Sequence, residues 1–200
     1  MPDQRKDYFD YHAPDWDTLA APEKQERLGL VFSRFIPSFA APVLDLGCGT
    51  GVLIPVLVNI LPAHSKIIEL DIAYRMLLQA RAKNKNNGRI NHLNGDVHFL
   101  PLTNGSIRTA ICFESLPHFR DLSSALAELH RVLHPEGNLI ILHLMGREKL
   151  NRLHDQAGGV ICRDYLPALA DLSERLKRLG FEVIQAAEKD DLYMVVALKR

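Results

Sequence analysis

The 200-residue sequence predicts a doubly wound α/β fold in a single domain, with a seven-stranded sheet that is mostly parallel and carries an antiparallel C-terminal strand. Three observations carry that prediction. Five short apolar runs alternate with stretches of helical periodicity, the pattern of a parallel sheet covered on both faces. The first run, "PVLDL", passes directly into "GCGTG", a glycine turn of the kind that joins a strand to a helix N-terminus. The last two runs, "FEVIQAA" and "LYMVVALK", are separated only by "EKDD", which suits a hairpin and leaves no room for a helical crossover.

Along the chain, a polar and aromatic start ("DYFDYHAPDWD") precedes a helical pattern opened by Pro22, with Leu28, Val31, Phe32, Phe35 and Ile36 on one face. "PVLDL" reads as a buried strand and "GVLIPVLVNIL" as the helix behind the glycine loop, where Pro55 is tolerable near the first turn. "KIIELD" and "AYRMLLQARAKN" repeat the strand-helix unit; "INHLNGD" and "TAICF" are the third and fourth strands. In "DLSSALAELHRVLHPEG", Asp121 caps a helix whose face holds Leu122, Ala125, Leu126, Leu129 and Leu133, and Pro135 with Gly137 stops it. "NLIILHL" is the fifth strand, and Leu169, Leu172, Leu176 and Leu179 form a helical stripe ended by Gly180. No repeat, low-complexity tract or linker interrupts this order.

The totals exclude several function classes. Lys+Arg and Asp+Glu number 24 each, so the formal net charge is zero and gives no global reason to expect nucleic acid or an anionic membrane as partner. No apolar run approaches the roughly 20 residues that span a bilayer. "MPDQRKDYFD" lacks a signal-peptide core. Cys48, Cys112 and Cys162 are odd in number and widely spaced, against a disulfide framework or a zinc site, and the expected compartment is the cytoplasm.

Ligands of such sheets bind outside the carboxyl ends of the strands, near the switch in strand order, which is where the glycine loop falls. There backbone amides and a helix N-terminus meet a ligand at close range. A dinucleotide loop usually reads G-x-G-x-x-G, but here the third glycine comes one residue early, at Gly51. Asp71 ends the second strand, where a carboxylate accepts hydrogen bonds from a ribose diol. Asp96 ends the third, where it can receive an adenine amino group with Val97 packed on the ring. Together these positions make a nucleoside-shaped pocket whose loop has no Lys or Arg for a phosphate.

"VLDLGCGTG", "ELDIAYRML", "NGDVHFLPLTNGSI", "ICFESLPHF" and "LAELHRVLHPEGNLII" resemble, in order, the motifs of class I S-adenosylmethionine-dependent methyltransferases, with the closest likeness to the ubiquinone and menaquinone biosynthesis C-methyltransferases. The resemblance spans about residues 40–145 and implies a Rossmann-like fold, S-adenosyl-L-methionine as cofactor and S-adenosyl-L-homocysteine as product. It implies that Gly47, Cys48, Gly49 and Gly51 lie under the methionine and ribose and that Asp45 supports the loop. It further implies that Asp71 holds the ribose with Ile72 beside the adenine, that Asp96 and Val97 bind the adenine, and that the main chain around Cys112 faces the amino acid end. Two departures stand out: "HPEG" replaces the usual "KPGG", and "SLPHF" keeps only His118 of a usual histidine pair.

Methyl transfer from a sulfonium needs alignment, exclusion of water and, for a protonated acceptor, a base. The catalytic candidates are Glu114 and His118 after the fourth strand and His143 near the end of the fifth. In "GREKLNRLHDQ", Glu148, Asn151 and His154 are spaced to share a helix face. His143, Glu148 and His154 lack the spacing of a metal motif, so no metal is expected. Tyr8, Tyr11, His12 and Trp16, with Phe9, suit a lid. The chain thus divides into a lid and helix (1–38), a cofactor-binding core (40–145), a candidate substrate cap (145–163) and a closing helix with hairpin (164–200). The expected acceptor is a small molecule. A nucleic-acid acceptor is disfavoured, because "FESLPHF" stands where an Asn/Asp-Pro-Pro-aromatic motif would be. The competing readings are a nicotinamide-dependent oxidoreductase and a non-catalytic S-adenosylmethionine-binding protein.

Overall fold

A computed structural model describes residues 4–19, 23–35 and 40–200. Pro22 and Ile36 of the predicted first helical stripe lie outside the described residues.

Seven strands form one sheet: β1 Val43–Leu46, β2 Ile67–Asp71, β3 Ile90–Asn94, β4 Ile107–Phe113, β5 Leu133–His143, β6 Phe181–Lys189 and β7 Leu192–Lys199. Their order is β3-β2-β1-β4-β5-β7-β6. The first five run parallel, and β7 inserts antiparallel between β5 and β6. The order reverses at β1, which pairs with β2 on one side and β4 on the other.

The sheet is covered by α2 Lys24–Phe35, α3 Ile54–Ile60, α4 Tyr74–Lys83, α5 Leu122–Val132 and α7 Leu169–Arg178, while α1 Gln4–His12 and α6 Arg147–Ala157 flank the strand ends. Alternation along the strands feeds two cores. Leu44, Leu46, Ala110, Cys112, Leu139 and Ile141 pack against Leu126 and Leu129 of α5 and Leu172 and Leu176 of α7. Val43, Ile67, Ile111, Phe113, Ile140 and Leu142 pack against Leu28 and Phe32 of α2 and Ile54 and Leu57 of α3. The expected Asp121 cap is formed: its carboxylate accepts from the Ser123 and Ser124 amides at 3.0 and 3.2 Å.

Two boundaries differ from the sequence reading. The helix behind the glycine loop starts at Ile54 rather than Gly51, because Gly51 has φ +82° and is not helical. The α5 helix stops at Val132, and Leu133 already begins β5, paired with Ile107. Leu133 therefore continues the apolar stripe of the helix while belonging to the strand. The register shifts between Ile107 and Thr109, and Glu136 takes φ +62° beside Gly137, so the break that Pro135 and Gly137 signal lies inside an irregular strand start.

Candidate active site

Past the C-terminal ends of β1, β2 and β4 lies a cavity of about 290 Å³. Asp45, Gly47, Cys48, Gly49, Asp71, Ile72, Asp96, Val97, Glu114, His118, Phe9 and Trp16 of the predicted residues line it, joined by Arg5, Asp17, Lys24, Phe113 and Phe119.

The three loop glycines have different jobs. All have positive φ (65°, 56° and 82°), a region that a side chain enters at a cost. A Cβ on Gly47 would fall 2.5 Å from the Cβ of Ser115, and one on Gly51 would fall 2.6 Å from Ile54 Cδ1 and 3.2 Å from Ala80 Cβ. These two let the loop pack on the protein, and Gly51 does not line the cavity. A Cβ on Gly49 would meet only Trp16 Nε1, at 4.0 Å. Gly49 alone keeps space open. The loop amides are already occupied: Gly47 and Cys48 donate to the Leu70 carbonyl at 2.8 and 3.1 Å, Gly51 donates to Cys48 at 3.0 Å, and Gly49 donates to Asp71 Oδ2 at 2.8 Å. The expected display of backbone amides to a ligand is therefore corrected at these four positions.

Asp71 accepts from the Gly49 amide and, through Oδ1, from the Ala73 amide at 2.8 Å, tying the loop to the start of α4. Burial pushes its carboxyl up to about 6, against the pull of those two bonds. Asp45 is buried and both carboxylate oxygens lack a hydrogen-bond partner, as do those of Glu69, its register partner on β2. Burial first, then the neighbouring Asp71 charge, pushes Asp45 upward. A buried carboxyl with unfilled acceptors in the cavity wall fits a ligand group that donates hydrogen bonds. Burial, with the charges of Glu69, Asp71 and Asp45, also pushes the Cys48 thiol up, so it is no nucleophile. Asp96 is partly engaged: it accepts from the His98 amide at 2.9 Å, from His98 Nδ1 and from Arg120 at 3.3 Å.

On the opposite wall, His118 Nδ1 lies 2.8 Å from Asp164 Oδ2. Burial alone would raise Asp164, but the His118 and Arg5 hydrogen bonds hold its carboxyl below the ordinary value. An ionised carboxylate only accepts, so Nδ1 carries the proton of this bond. Glu114 holds φ +51° at the end of β4, a conformation costly for a residue with a side chain. Its Oε2 accepts from Lys24 Nζ at 2.5 Å, and the same ammonium stands 5.3 Å over the Phe113 ring.

The remaining predicted residues do not line the cavity. Cys112 points into the α5 core, because its strand position alternates with Phe113. His143 is 1% exposed with neither ring nitrogen bonded, and burial drives it down to about 3, so it stays neutral and cannot hold a proton near neutrality. His154 is buried behind His118, its Nδ1–H donating to the Asp164 carbonyl. The Tyr8 and His12 rings meet at a tilt, 4.6 Å apart, along α1, and Tyr11 is 77% exposed. Glu148 points outward from α6 while Asn151 bonds Leu166, so the predicted shared face is divided. Sequence reasoning missed Arg5, Asp17, Lys24 and Asp164, none of which sits in a motif.

Residues 44–141 match the model of a methyltransferase domain. Over those residues the chain resembles a methyltransferase domain. The chain is 39% identical over 98 residues to an uncharacterised 37.1 kDa protein of a Streptomyces fradiae transposon, spanning 49% of the chain and 28% of that relative. It is 27% identical over 198 residues to an O-methyltransferase of Aspergillus nomiae, spanning 90% of the chain and 84% of the relative. The chain thus covers under a third of the first relative and most of the second. In fold, it superposes with a TM-score of 0.79 and 19% identity on a chain from a complex of a Haloferax volcanii methyltransferase with its Trm112 activator, covering 95% of this chain and 96% of that one. The mostly parallel seven-stranded sheet is the Rossmann-like architecture expected from the sequence. No helix among the described residues is long and apolar enough to cross a membrane.

Proposed function

We propose that the protein transfers a methyl group from S-adenosylmethionine to a small-molecule acceptor bearing a removable proton, with His118 as general base. The observation that carries the cofactor reading is the unpartnered, buried carboxylate of Asp45 beside the open floor at Gly49. When bound, the cofactor supplies an electrophilic methyl group on a cationic sulfonium.

The chain's own residues suit that ligand. Asp45 offers bare acceptors to an ammonium group. Asp71 keeps lone pairs for ribose hydroxyls beyond those given to Gly49 and Ala73. Ile72 and Val97 offer apolar walls to a purine, and Phe9 and Trp16 offer aromatic faces to a cation. A dinucleotide suits the site poorly. Its pyrophosphate would need free amides or cations, yet the loop amides at Gly47, Cys48, Gly49 and Gly51 are used internally. Arg5 and Lys24 already pair with Asp164 and Glu114. These facts favour the methyl donor over the nicotinamide alternative.

His118 Nε2 makes no hydrogen bond among the described residues, and the ring lines the cavity. A bare imidazole nitrogen held in one tautomer takes a proton from a phenol, enol or carbon acid; an acceptor already ionised, such as a carboxylate, would not need it. The relative named as an O-methyltransferase is consistent with a hydroxyl acceptor. The test is transfer of labelled methyl from S-adenosylmethionine to a panel of phenols, enols and carboxylates. His118→Gln should lower turnover of the preferred acceptor by about 10²–10⁴-fold while cofactor affinity stays within twofold. Full turnover by His118→Gln would remove the base, and cofactor binding with no transfer to any acceptor would favour the non-catalytic alternative.

A further inference from the structure

Asp164 belongs to no motif, lies 46 residues from His118 in sequence, and has a fully buried side chain with three elements converging on it. His118 donates Nδ1–H to Oδ2. Arg5 of α1 grips the same carboxylate, its Nε 3.1 and 3.0 Å from the two oxygens and its Nη2 on Oδ1. The Asp164 carbonyl takes the Nδ1–H of His154, whose ring lies 5.2 Å from that of His118. The α1 helix touches the other end of the dyad too, with Phe9 edge-on to the His118 ring at 4.9 Å.

A buried carboxylate is costly without a cation, and an imidazole with one free bond rotates. We propose that Asp164 is the positioning residue for His118 and that Arg5 makes this positioning conditional on α1 being docked over the cavity. The inference rests on His118 acting as the base. In the docked arrangement the guanidinium fork fixes the carboxylate, the carboxylate fixes the Nδ1–H tautomer, and Nε2 is left as the proton acceptor. The same helix brings Phe9 to the cavity wall, so water exclusion and base orientation arrive together. When α1 lifts, Asp164 loses the fork, and the base loses its fixed tautomer before any acceptor is enclosed. Two further anchors hold this layer: Asp10 accepts from the Arg75 amide at the start of α4 at 2.7 Å, and Asp17 accepts from Thr50 at 2.6 Å.

The test uses the full chain without ligand at pH 8.5, in wild type, Arg5→Gln and Asp164→Asn, with His118→Gln assigning the histidine signal. Long-range proton–nitrogen spectra report the tautomer, and hydrogen exchange read by mass spectrometry reports α1. Wild type should show His118 protonated at Nδ1 alone. Asp164→Asn should replace it by a tautomer mixture, and both variants should speed exchange across residues 4–12 by about tenfold or more. Wild-type exchange in Arg5→Gln, or a pure Nδ1–H tautomer in Asp164→Asn, overturns the proposal. Arg5 is partly exposed, so its variant keeps the test decisive if Asp164→Asn fails to fold. Neither readout needs an acceptor or turnover. A failure here leaves the methyl-transfer reading standing, whereas full activity of His118→Gln removes the base on which this inference rests.

Discussion

Asp45 and Glu69 stand opposite one another in register on β1 and β2, both buried, with no donor for any of their four carboxylate oxygens. Two adjacent buried anions are unstable, and one proton between them turns the pair into donor and acceptor. Burial, with Asp71 and Asp45 as the neighbouring charges, pushes Asp45 up to about 8 and Glu69 well above its ordinary value.

The sign of the pH effect follows. Groups whose folded-state values are raised contribute stability that is present below their unfolded values and lost as pH rises through the folded ones. Asp45 thus places a loss between its ordinary value of 3.8 and about pH 8; Asp71 (raised to about 6) and His143 (lowered from 6.5 to about 3) act below pH 6.5, which leaves the window from about pH 6.5 to 8 to the Asp45–Glu69 pair. The ligand-free protein should melt at progressively lower temperature from about pH 6.5 to 8, and Glu69→Gln should flatten that slope. A flat wild-type profile would mean that the pair carries no shared proton.

Asp71 serves the fold and the ligand with one carboxylate. Asp71→Ala should cost stability, because the Gly49 and Ala73 amides lose their acceptor, by about 1–3 kcal/mol. It should also weaken S-adenosylhomocysteine binding by about tenfold or more, measured well below its melting temperature. Lost stability with unchanged affinity would restrict Asp71 to capping α4 and holding the loop.

The loop glycines separate by substitution. Gly51→Ala must displace Ile54 or Ala80 as well as hold φ +82°, whereas Gly49→Ala meets only Trp16. Gly51→Ala should therefore be the less stable of the two. Gly49→Ala should lose about 1–2 kcal/mol to backbone conformation, with its larger defect in cofactor affinity. Equal melting temperatures and equal affinities would contradict the division of roles.

Much of this was legible in the sequence because it is local. Strand-helix alternation gave the sheet, the Asp121 cap followed from its position before an apolar stripe, and Asp45, Gly49, Asp71 and Asp96 sit at strand ends that topology brings together. The rest depends on contacts that leave no periodic trace. No residue of α1 is buried, so hydrophobic pattern could not dock it; Arg5 and Asp10 do that through polar bonds to distant partners. Asp164 is a loop aspartate until the fold sets it against His118. Leu133 misled the helix boundary because its burial serves helix and strand equally.

The central claim, that this cavity takes the methyl donor, is tested most directly by calorimetric titration of the wild-type protein with S-adenosylhomocysteine and, separately, NADH. One S-adenosylhomocysteine should bind per chain, displaced by S-adenosylmethionine, with no heat from NADH at the same concentrations. Saturable NADH binding with no response to S-adenosylhomocysteine would contradict the account.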